Sequence, residues 1–501
     1  MGRVLLVNPR ITSRRGARFP LSLLALAGFL EGKSNCQIVD GNIDPDYIHT
    51  IANAVREERF DAVGITVMGG PQVQAAIDAS LSVREFSPAT PIVWGGYFPT
   101  LYTNAAINAP YVDFAVRGSG EETFAALLGA LSEGDSTGYQ SIPGLTWKRA
   151  GDIIHNVDRA FADRRANVML PYDLLGDSRA YLARTFLGNR TVAHQAALGC
   201  RFRCTFCGVA AMFQGATALP PASRLERDLT WLKNNLGVDS IQFCDHNFFD
   251  READMLPILE VLARVQLPWW CYARADALLG LSEDAWALVR KSKLRMAYIG
   301  AESASDVMLK NIRKGTKVNQ TLAVAELCRR HGVIPELSFM VAPPEDPEGE
   351  TERTFEFIRE VKRVNPASEI IVYIYTPLPR ESLPLNSRSR AAAAVLTDLH
   401  GNPIRFPRTP EEWTQKQWVD YSCHADAPWM TDRLRQRIRN FVTVLGCRFP
   451  TVQDVRSPPW SKLVLRTLAA WRYRYRKYDR PWELALSKRL IRLADPRVTG
   501  I

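Results

Sequence analysis

Short apolar runs alternate with amphipathic stretches along the first part of the chain. Residues 4–7 and 62–67 are apolar runs of strand length, whereas residues 47–58 and 72–86 place their apolar side chains at helical spacing. This alternation is typical of an α/β fold with a doubly wound parallel sheet. Ligands of such sheets bind beyond the carboxyl ends of the strands. We therefore predict a Rossmann-like domain over residues 1–150.

A second series of apolar runs begins near residue 191. It follows a segment, residues 151–190, whose prolines and glycines predict a linker. The runs predict six strand–helix units over residues 191–390, which suit an open (β/α)6 barrel, a partial TIM barrel with its chemistry at the C-terminal rim. Residues 391–501 predict a mainly helical C-terminal domain. The strands of the second series are predicted at residues 191–197, 241–245, 269–274, 296–300, 335–341 and 369–375.

Three closely spaced cysteines, Cys200, Cys204 and Cys207, follow the first strand of this second series. Thiolates are soft ligands that select iron–sulfur clusters or zinc. A structural zinc site needs four ligands, and His194 is the only close candidate for a fourth. A cubane cluster needs only three cysteines and leaves one iron open for a substrate or cofactor. A zinc knuckle and a disulfide remain the alternatives.

The spacing of these cysteines, with the aromatic Phe206 just before the last one, resembles the cluster loop of the radical S-adenosylmethionine (radical SAM) enzymes. The resemblance covers most of residues 191–385 and implies a [4Fe-4S] cluster that binds S-adenosylmethionine at its open iron. By position it also implies that Asp245 binds the amino group of this ligand, Arg274 its carboxylate and Glu302 its ribose or amino group. Phe206 would lie by the adenine. Ordinary ion pairs at a barrel rim explain the same charged residues equally simply.

His246 follows the second strand of this series, in a segment that replaces a glycine-rich motif of many relatives. It is a candidate general base, and the simpler interpretation is a rim histidine with a satisfied hydrogen bond.

Glycine-rich turns and polar residues follow the strands of the first series. Together with the run from Trp94 to Thr100, they resemble the cobalamin-binding domain that precedes many radical SAM cores, over roughly residues 1–150. The resemblance implies a cobalamin site at these strand ends. The predicted cofactor contacts are Asn8, Arg10, Thr66, Met68, Gly69, Gln72, Gly95, Gly96, Pro99, Arg117, Gly118, Gly120 and Glu121.

Two departures from that family concern the lower face of the cobalt. Tyr97 stands where many relatives carry His, and residues 8–12 lack the Asp-x-His-x-x-Gly signature. No histidine from that motif can therefore ligate the cobalt. We expect the lower face to be covered by Arg10 or by residues 68–72.

Composition narrows the remaining classes of function. The net charge is +10, but residues 457–501 alone carry eleven Lys or Arg against three acids, which accounts for +8 of it. The rest of the chain is near neutral, which argues against a nucleic-acid-binding surface. The chain has nine cysteines, and we find no signal peptide and no apolar run long enough to span a membrane. We therefore predict a cytoplasmic protein in a reducing compartment.

Aromatic residues concentrate in the C-terminal region. Trp413, Trp418, Tyr421 and Trp429 either wall a substrate pocket or form a small helical core. The basic, aromatic segment at residues 460–493 predicts a helix that docks on an anionic membrane surface or an acidic partner, or that simply packs on the barrel.

The combined resemblance implies a cobalamin-dependent radical SAM enzyme. We expect a methyltransferase acting on an unactivated carbon of a small-molecule substrate, supplied with electrons by a flavodoxin- or ferredoxin-type donor. In such enzymes a 5′-deoxyadenosyl radical abstracts a substrate hydrogen and methylcobalamin delivers the methyl group. One alternative is a cyclisation or oxidative rearrangement without methyl transfer, as in the anaerobic cyclase of chlorophyll biosynthesis. The other is a non-catalytic cobalamin or cluster sensor.

Overall fold

Strand β1 (Gly2–Asn8) shows how the N-terminal sheet is covered on both faces. Val4 and Leu6 belong to one cluster of buried side chains, with residues of α1 (Leu21–Phe29), whereas Leu5 and Val7 belong to the main core. All four side chains are fully buried. A strand that is buried on both faces has a continuous run of apolar residues in its sequence. This is why the sequence pattern predicted β1 correctly.

The structure is a computed structural model, which describes residues 2–134, 136–161, 168–379 and 396–491. Its first sheet has seven strands in the order β2-β1-β3-β4-β5-β6-β7. The first five are parallel, and the last two pair antiparallel at one edge. The further strands are β2 (Ser34–Asp40), β3 (Ala62–Thr66), β4 (Ile92–Gly95), β5 (Phe114–Val116), β6 (Leu145–Arg149) and β7 (Asp152–His155).

Helices connect the parallel strands of this sheet as the alternating pattern predicts. They are α2 (Tyr47–Glu57), α3 (Gln72–Phe86), α4 (Tyr97–Leu101), α5 (Thr103–Asn108) and α6 (Glu121–Glu133). The hairpin of β6 and β7 was not predicted, and it extends the sheet past residue 150 into the segment interpreted as a linker. Hairpins of this length carry little periodicity, so pattern analysis does not detect them.

The second sheet has six strands, all parallel, in the order β15-β14-β13-β12-β11-β8. Each strand after β8 therefore lies beside the previous one, as in an open barrel, and the predicted fold class is confirmed. The strands are β8 (Thr191–His194), β11 (Ser240–Phe243), β12 (Trp269–Ala273), β13 (Leu294–Glu302), β14 (Ile334–Val341) and β15 (Glu369–Ile374).

Between β8 and β11 the chain forms a small antiparallel pair, β9 (Leu198–Gly199) with β10 (Thr217–Ala218). This pair encloses the cysteine loop and the short helix α7 (Val209–Phe213). The remaining helices of this unit are α8 (Ala222–Trp231), α9 (Glu252–Val265), α10 (Ala275–Leu279), α11 (Glu283–Lys291), α12 (Asp306–Asn311), α13 (Val318–His331) and α14 (Pro347–Val364).

The C-terminal region is helical, and its aromatic residues are buried. Trp413 packs on the ring of Tyr102 in the first domain, with 4.1 Å between the ring centroids, and on Trp418 at 5.6 Å. The boundary predicted at residue 390 lies outside the described residues. The helices are α15 (Pro410–Trp413), α16 (Lys416–Ser422), α17 (Asp432–Arg448), α18 (Pro459–Arg474) and α19 (Trp482–Ile491). Within the described residues, none of the helices has the length and apolar character needed to cross a membrane.

Candidate functional site

A cavity of about 340 Å³ lies at the carboxyl ends of β3, β4 and β5. This is where a doubly wound sheet binds its ligands. One wall comes from the first sheet and its helices, and the other comes from residues next to the cysteine loop. The residues of that second wall are Gln195, Leu198, Met212, Phe213 and His246. A molecule in this cavity therefore touches both α/β units.

The cavity is lined by only part of the predicted cobalamin set. The predicted residues that line it are Thr66, Met68, Gly95, Gly96, Gly118, Gly120 and Glu121. The predicted residues outside its lining are Asn8, Arg10, Gly69, Gln72, Pro99 and Arg117. Its inner end is apolar: Leu23 and Leu26 of α1 and Phe124 of α6 line it together with Ile65 and Val93 of the sheet.

Arg10 is held away from this cavity. Its guanidinium donates hydrogen bonds to the carbonyls of Gly41 (2.8 Å) and Asp44 (3.1 Å), and it lies over the ring of Tyr47. These contacts fasten the loop after β2. Arg10 is therefore not among the residues that line the cavity, whereas Met68 of the 68–72 segment is, and the expectation about the lower cobalt face stays a prediction.

Gln72 acts on the cavity through Met68. Its buried side chain accepts a hydrogen bond from the Met68 backbone N–H at 2.7 Å and donates to the Pro9 carbonyl at 2.6 Å and to Asn8 Oδ1 at 3.1 Å. The amide therefore ties the loops after β1 and β3 together. Gln72 and Asn8 shape this edge of the sheet without lining the cavity.

Arg117 has a structural role as well. It is buried, and it donates to the Leu145 carbonyl at 3.0 Å and forms an ion pair with Asp158 at 3.2 Å. These contacts attach the β6–β7 hairpin to the end of β5.

Gly95 and Gly96, at the end of β4, differ in how much a side chain would disturb the structure. Gly96 has φ of 95°, in the left-handed region, and a Cβ there would lie 3.0 Å from Thr66 Oγ1. A Cβ at Gly95 would meet nothing nearer than Val116 Cβ at 4.0 Å, although Gly95 lines the cavity. Gly95 therefore leaves space in the cavity without being required by protein packing.

Tyr97 connects the first domain to the cysteine loop. Its hydroxyl lies against the backbone of Gly208, the residue after Cys207, where a Cβ would overlap the Tyr97 ring and oxygen. Burial raises the pKa of Tyr97 far above its usual range, so the phenol stays neutral. The sequence marked Tyr97 only as a departure from a family pattern, and the contact with Gly208 required the tertiary structure.

The three cysteines line one loop and lie within range of each other's charge. Burial is the largest cause that raises the pKa of each thiol, to about 12 for Cys207. Neighbouring cysteines raise the pKa of Cys200 and Cys207 further, and the charge of Glu302 raises that of Cys204. The positive charges of Lys314 and Arg274 lower the pKa of Cys204. In the described part of the chain, no three His, Cys, Asp or Glu side chains converge closely enough to hold a single metal ion.

Asp245 holds the chain just before the cysteine loop. Its carboxylate is fully buried and accepts hydrogen bonds from the backbone N–H groups of Ala196 (3.0 Å) and Ala197 (2.5 Å). Burial raises the pKa of Asp245 to about 7, although these hydrogen bonds lower it. His246 holds the other side of the turn, since Gly199 N–H donates to its Nδ1 at 3.2 Å. Both residues after β11 thus position the loop.

Glu302 ends β13 in a strained backbone conformation. Its φ is 64°, a left-handed value that non-glycine residues rarely adopt, and the β13–β14 register shifts there. Its carboxylate forms a buried ion pair with Lys314 at 2.6 Å. A Cβ on Gly300 would overlap this carboxylate and lie 2.5 Å from Lys314 Nζ. Strain that the surroundings enforce is concentrated at functional sites.

Arg274 lies between the same ion pair and the cysteine loop. It is buried, forms a two-point ion pair with Asp276 (2.9 Å for each bond) and donates to the Lys314 carbonyl at 2.7 Å. Its guanidinium lies 3.5 Å from the ring centroid of Phe202 within the cysteine loop. The structure thus gathers the predicted residues Arg274 and Glu302 around the loop. Phe206 packs against a nearby apolar cluster that includes Met308 and Tyr375.

Sequence reasoning missed Lys314 and His424. Lys314 lies in a loop without periodicity, so only the fold brings it to Glu302. His424 comes from the C-terminal region, has φ of 52° and hydrogen-bonds to Thr376 through Nδ1. Burial lowers the pKa of His424, while the nearby charge of Glu302 raises it. No local pattern marks either residue as part of this site.

Comparison with known protein families finds a match in each of the two α/β units. The model of the B12 binding domain matches residues 8–128, and that of the Radical SAM superfamily matches residues 196–358. The chain is a radical SAM enzyme with a B12-binding domain. The family prediction is therefore confirmed, and at the level of these domains so is the predicted cofactor set of cobalamin, [4Fe-4S] cluster and S-adenosylmethionine.

Similar proteins include enzymes of two kinds. An uncharacterized methyltransferase of Pyrococcus horikoshii is 25% identical over 370 residues, which cover 72% of this chain and 78% of the relative. An anaerobic magnesium-protoporphyrin IX monomethyl ester cyclase of Synechocystis is 25% identical over 342 residues, covering 66% of this chain and 67% of the relative.

Two solved structures share the fold of this chain. One is the radical S-adenosylmethionine methyltransferase TsrM of Kitasatospora setae, with a TM-score of 0.62, 18% identity and coverage of 82% of each chain. The other is the cobalamin-dependent S-adenosylmethionine radical enzyme OxsB, with a TM-score of 0.67 and 15% identity, covering 98% of this chain and 75% of the other.

Proposed function

We propose that this radical SAM enzyme methylates an unactivated carbon of a small-molecule substrate with cobalamin as the methyl carrier. The observation that carries the proposal is the cavity at the ends of β3–β5, because its second wall is formed by residues next to the cysteine loop. A cofactor held by the first domain would therefore face the chemistry of the second. Two cofactors that act on one substrate need such proximity.

The residues that line the cavity suit cobalamin chemically. Glycines at the strand ends leave room for a bulky planar group, and a Cβ at Gly95 would project into that room. The apolar inner end between α1 and α6 suits the aromatic base of the cofactor's nucleotide tail. Met68 lies at the rim, positioned by Gln72. No histidine of the first domain is among the lining residues, so this side of the cavity offers the cobalt no imidazole.

The cysteine loop suits an iron–sulfur cluster with a cationic surround. Cys200, Cys204 and Cys207 would supply three thiolates, and Lys314 and Arg274 favour the charged form of Cys204. Charge on an iron–sulfur cluster is stabilised in this way by nearby cations and hydrogen-bond donors. Arg274 and the Glu302–Lys314 pair lie beside the loop, where they would bind the polar groups of S-adenosylmethionine. Asp245 would contribute by holding the loop, since two backbone N–H groups already occupy its oxygens.

The cofactors carry the difficult chemistry when bound: the cluster with S-adenosylmethionine supplies hydrogen-atom abstraction, and cobalamin supplies the methyl group. The residues of this chain orient the reactants and exclude water. Tyr97 and Gly208 hold the two halves in contact. The proposal also includes an electron donor of the flavodoxin or ferredoxin type, which would supply the enzyme with electrons.

The cyclase reaction is the second candidate, because relatives of similar identity and coverage carry that name. The two reactions differ in what happens to S-adenosylmethionine. Methylation consumes a second molecule as methyl donor and releases S-adenosylhomocysteine, whereas cyclisation without methyl transfer releases none.

The decisive experiment measures 5′-deoxyadenosine and S-adenosylhomocysteine together, on anaerobic protein reconstituted with iron, sulfide and cobalamin and then reduced. We expect both products to rise with a candidate substrate. Cys204→Ala should abolish both, because the cluster loses a ligand. Cys36→Ala is the matched control, since Cys36 is a buried thiol on β2 outside the loop, and it should keep both products.

If the substrate is fully converted with formation of 5′-deoxyadenosine but not of S-adenosylhomocysteine, the cyclase reaction replaces methylation as the proposed function. A fully loaded protein that binds S-adenosylmethionine and yields neither product with any substrate tried would favour the sensor. Product formation that persists in Cys204→Ala would refute the assignment of the cluster loop.

A further inference from the structure

Exposed apolar side chains are unevenly distributed over the described residues. Fifteen large hydrophobic side chains are exposed, and eight of them fall between residues 460 and 486. Three of the eight are tryptophans, with Trp460 64%, Trp471 51% and Trp482 71% exposed. Scattered single residues of this kind are normal on a protein surface, whereas a concentration marks an interaction site.

These side chains form a stripe along α18. Successive helical residues are about 100° apart, so the five exposed apolar positions of α18 fall within an arc of about 140°. The buried positions of the same helix, which pack on the protein, occupy a separate arc. We call the following residues the apolar stripe: Trp460, Leu463, Val464, Leu468, Trp471 and, just after the helix, Tyr475.

Helix α19 extends the same surface. Trp482 and Leu486 are exposed and one helical turn apart, so they lie on one face of α19. Helix α18 packs against α17 and α19 through its other side, with Leu465 and Ala469 fully buried. The stripe is therefore the outer face of a helix that the protein holds in place, and its helical form does not depend on a partner.

Basic side chains flank the apolar stripe. Arg466 and Arg474 are exposed on α18, and the connection to α19 adds the exposed Arg476, Lys477 and Arg480. Some of the nearby acidic groups are already engaged: Glu483 binds the buried Arg472, and Glu356 binds Arg476 at 2.6 Å. The surface thus combines apolar side chains with positive side chains on and next to the same face.

We infer that α18 and α19 lie on an anionic lipid surface, with the apolar stripe inserted among the headgroups and the basic residues facing the lipid phosphates. Tryptophan and tyrosine are favoured at the membrane interface, and a helix with an apolar face beside Lys and Arg is typical of proteins that lie on a membrane without crossing it. An acidic protein partner would satisfy the arginines but would leave the spread of exposed tryptophan and leucine along about 17 Å of helix unexplained.

The test is sedimentation of the full-length protein with vesicles of phosphatidylcholine alone and of phosphatidylcholine mixed equally with phosphatidylglycerol. We expect binding to the anionic vesicles, weakened by salt, and little binding to the neutral ones. Replacing Leu468 and Trp471 together by Ser should lower the partition coefficient more than about tenfold. Replacing Arg466 and Arg474 by Gln should lower it about fivefold per residue.

Leu81→Ser is the matched control, because Leu81 is also exposed but lies on α3 of the first domain; it should bind like the parent. All the replaced side chains are exposed, so folding is expected to survive, and circular dichroism checks this. The inference is overturned if the parent stays in the supernatant with anionic vesicles, if it binds both vesicle types equally, or if the stripe variant binds like the parent. It is also overturned if the stripe proves to be the interface of a dimer that the stripe variant dissociates.

Discussion

Single residues at this site have structural roles that the surrounding sequence does not indicate. Glu302 adopts a left-handed backbone conformation, which costs on the order of 1–3 kcal/mol. In this conformation its carboxylate reaches Lys314 beside the cysteine loop. Gly300 makes the pair possible by having no side chain. Asp245 looked from its position like a ligand-binding acid, but its oxygens hold the backbone that leads into the loop. The positions of these residues at strand ends predicted that they belong to a functional site. Only their contacts indicate what each side chain does there.

Gly300→Ala tests the first of these roles. The added methyl group would displace the Glu302–Lys314 pair, so we expect a stability loss of about 1–3 kcal/mol and weaker binding of S-adenosylmethionine to the reconstituted protein. Thermal unfolding and equilibrium dialysis measure the two effects. Gly129→Ala in α6 is the control, because a Cβ there meets nothing within 4 Å; it should be neutral or stabilising. Unchanged ligand affinity in Gly300→Ala would show that the pair does not contribute to binding.

At the scale of elements, strands such as β1 and β3 were predictable because they are runs of apolar residues buried on both faces. The helices that cover them carry the matching periodicity. Elements with few residues were missed, among them the β6–β7 hairpin and the β9–β10 pair that encloses the cysteine loop. The sequence allowed two interpretations of the aromatic residues of α15 and α16, a pocket wall or a small helical core. The structure buries Trp413 and Trp418 against each other and against Tyr102, so packing is their observed role.

Trp413→Ala therefore tests how α15 is anchored. Trp413 is 2% exposed and packs against the rings of Tyr102 and Phe98 of the first domain, so its removal should cost about 3–5 kcal/mol. We expect a lower midpoint in urea and faster proteolysis after residue 396. Trp482→Ala is the matched control, since Trp482 is mostly exposed, and its free energy of unfolding should stay within about 0.5 kcal/mol of the parent. Equal effects of the two variants would contradict the anchoring role.

At the scale of the whole molecule, the important feature is the contact between the two α/β units. The cavity that we assign to cobalamin has walls from both, and Tyr97 of the first unit lies against Gly208 of the second. The cysteine loop is thus held from one side by its own barrel, through Asp245 and His246, and from the other by the first domain. The arrangement predicts that the two domains are coupled energetically.

A double-mutant cycle on Gly208 and Tyr97 measures this coupling. Gly208→Ala should destabilise the protein and reduce cluster loading, because its methyl group would overlap the Tyr97 ring. Tyr97→Ala removes that ring, so adding Gly208→Ala to it should cost far less than in the parent. A coupling energy of about 0.5–3 kcal/mol is expected for residues in contact. Strictly additive effects on unfolding and on the iron content of the reconstituted protein would contradict the link.

The sequence by itself determined the two α/β series, the cysteine loop, the family and its cofactors, because these depend on local periodicity and on the spacing of neighbouring residues. It also located the cavity's glycines, since strand ends can be counted from the pattern. Only the tertiary structure decided which contacts Arg10 and Arg117 make, that Lys314 and His424 lie near Glu302, and that the exposed residues of α18 form one stripe. Those facts depend on contacts between residues far apart in the chain and on which face of each element is covered. A local stretch of sequence determines neither the contacts nor the covered face.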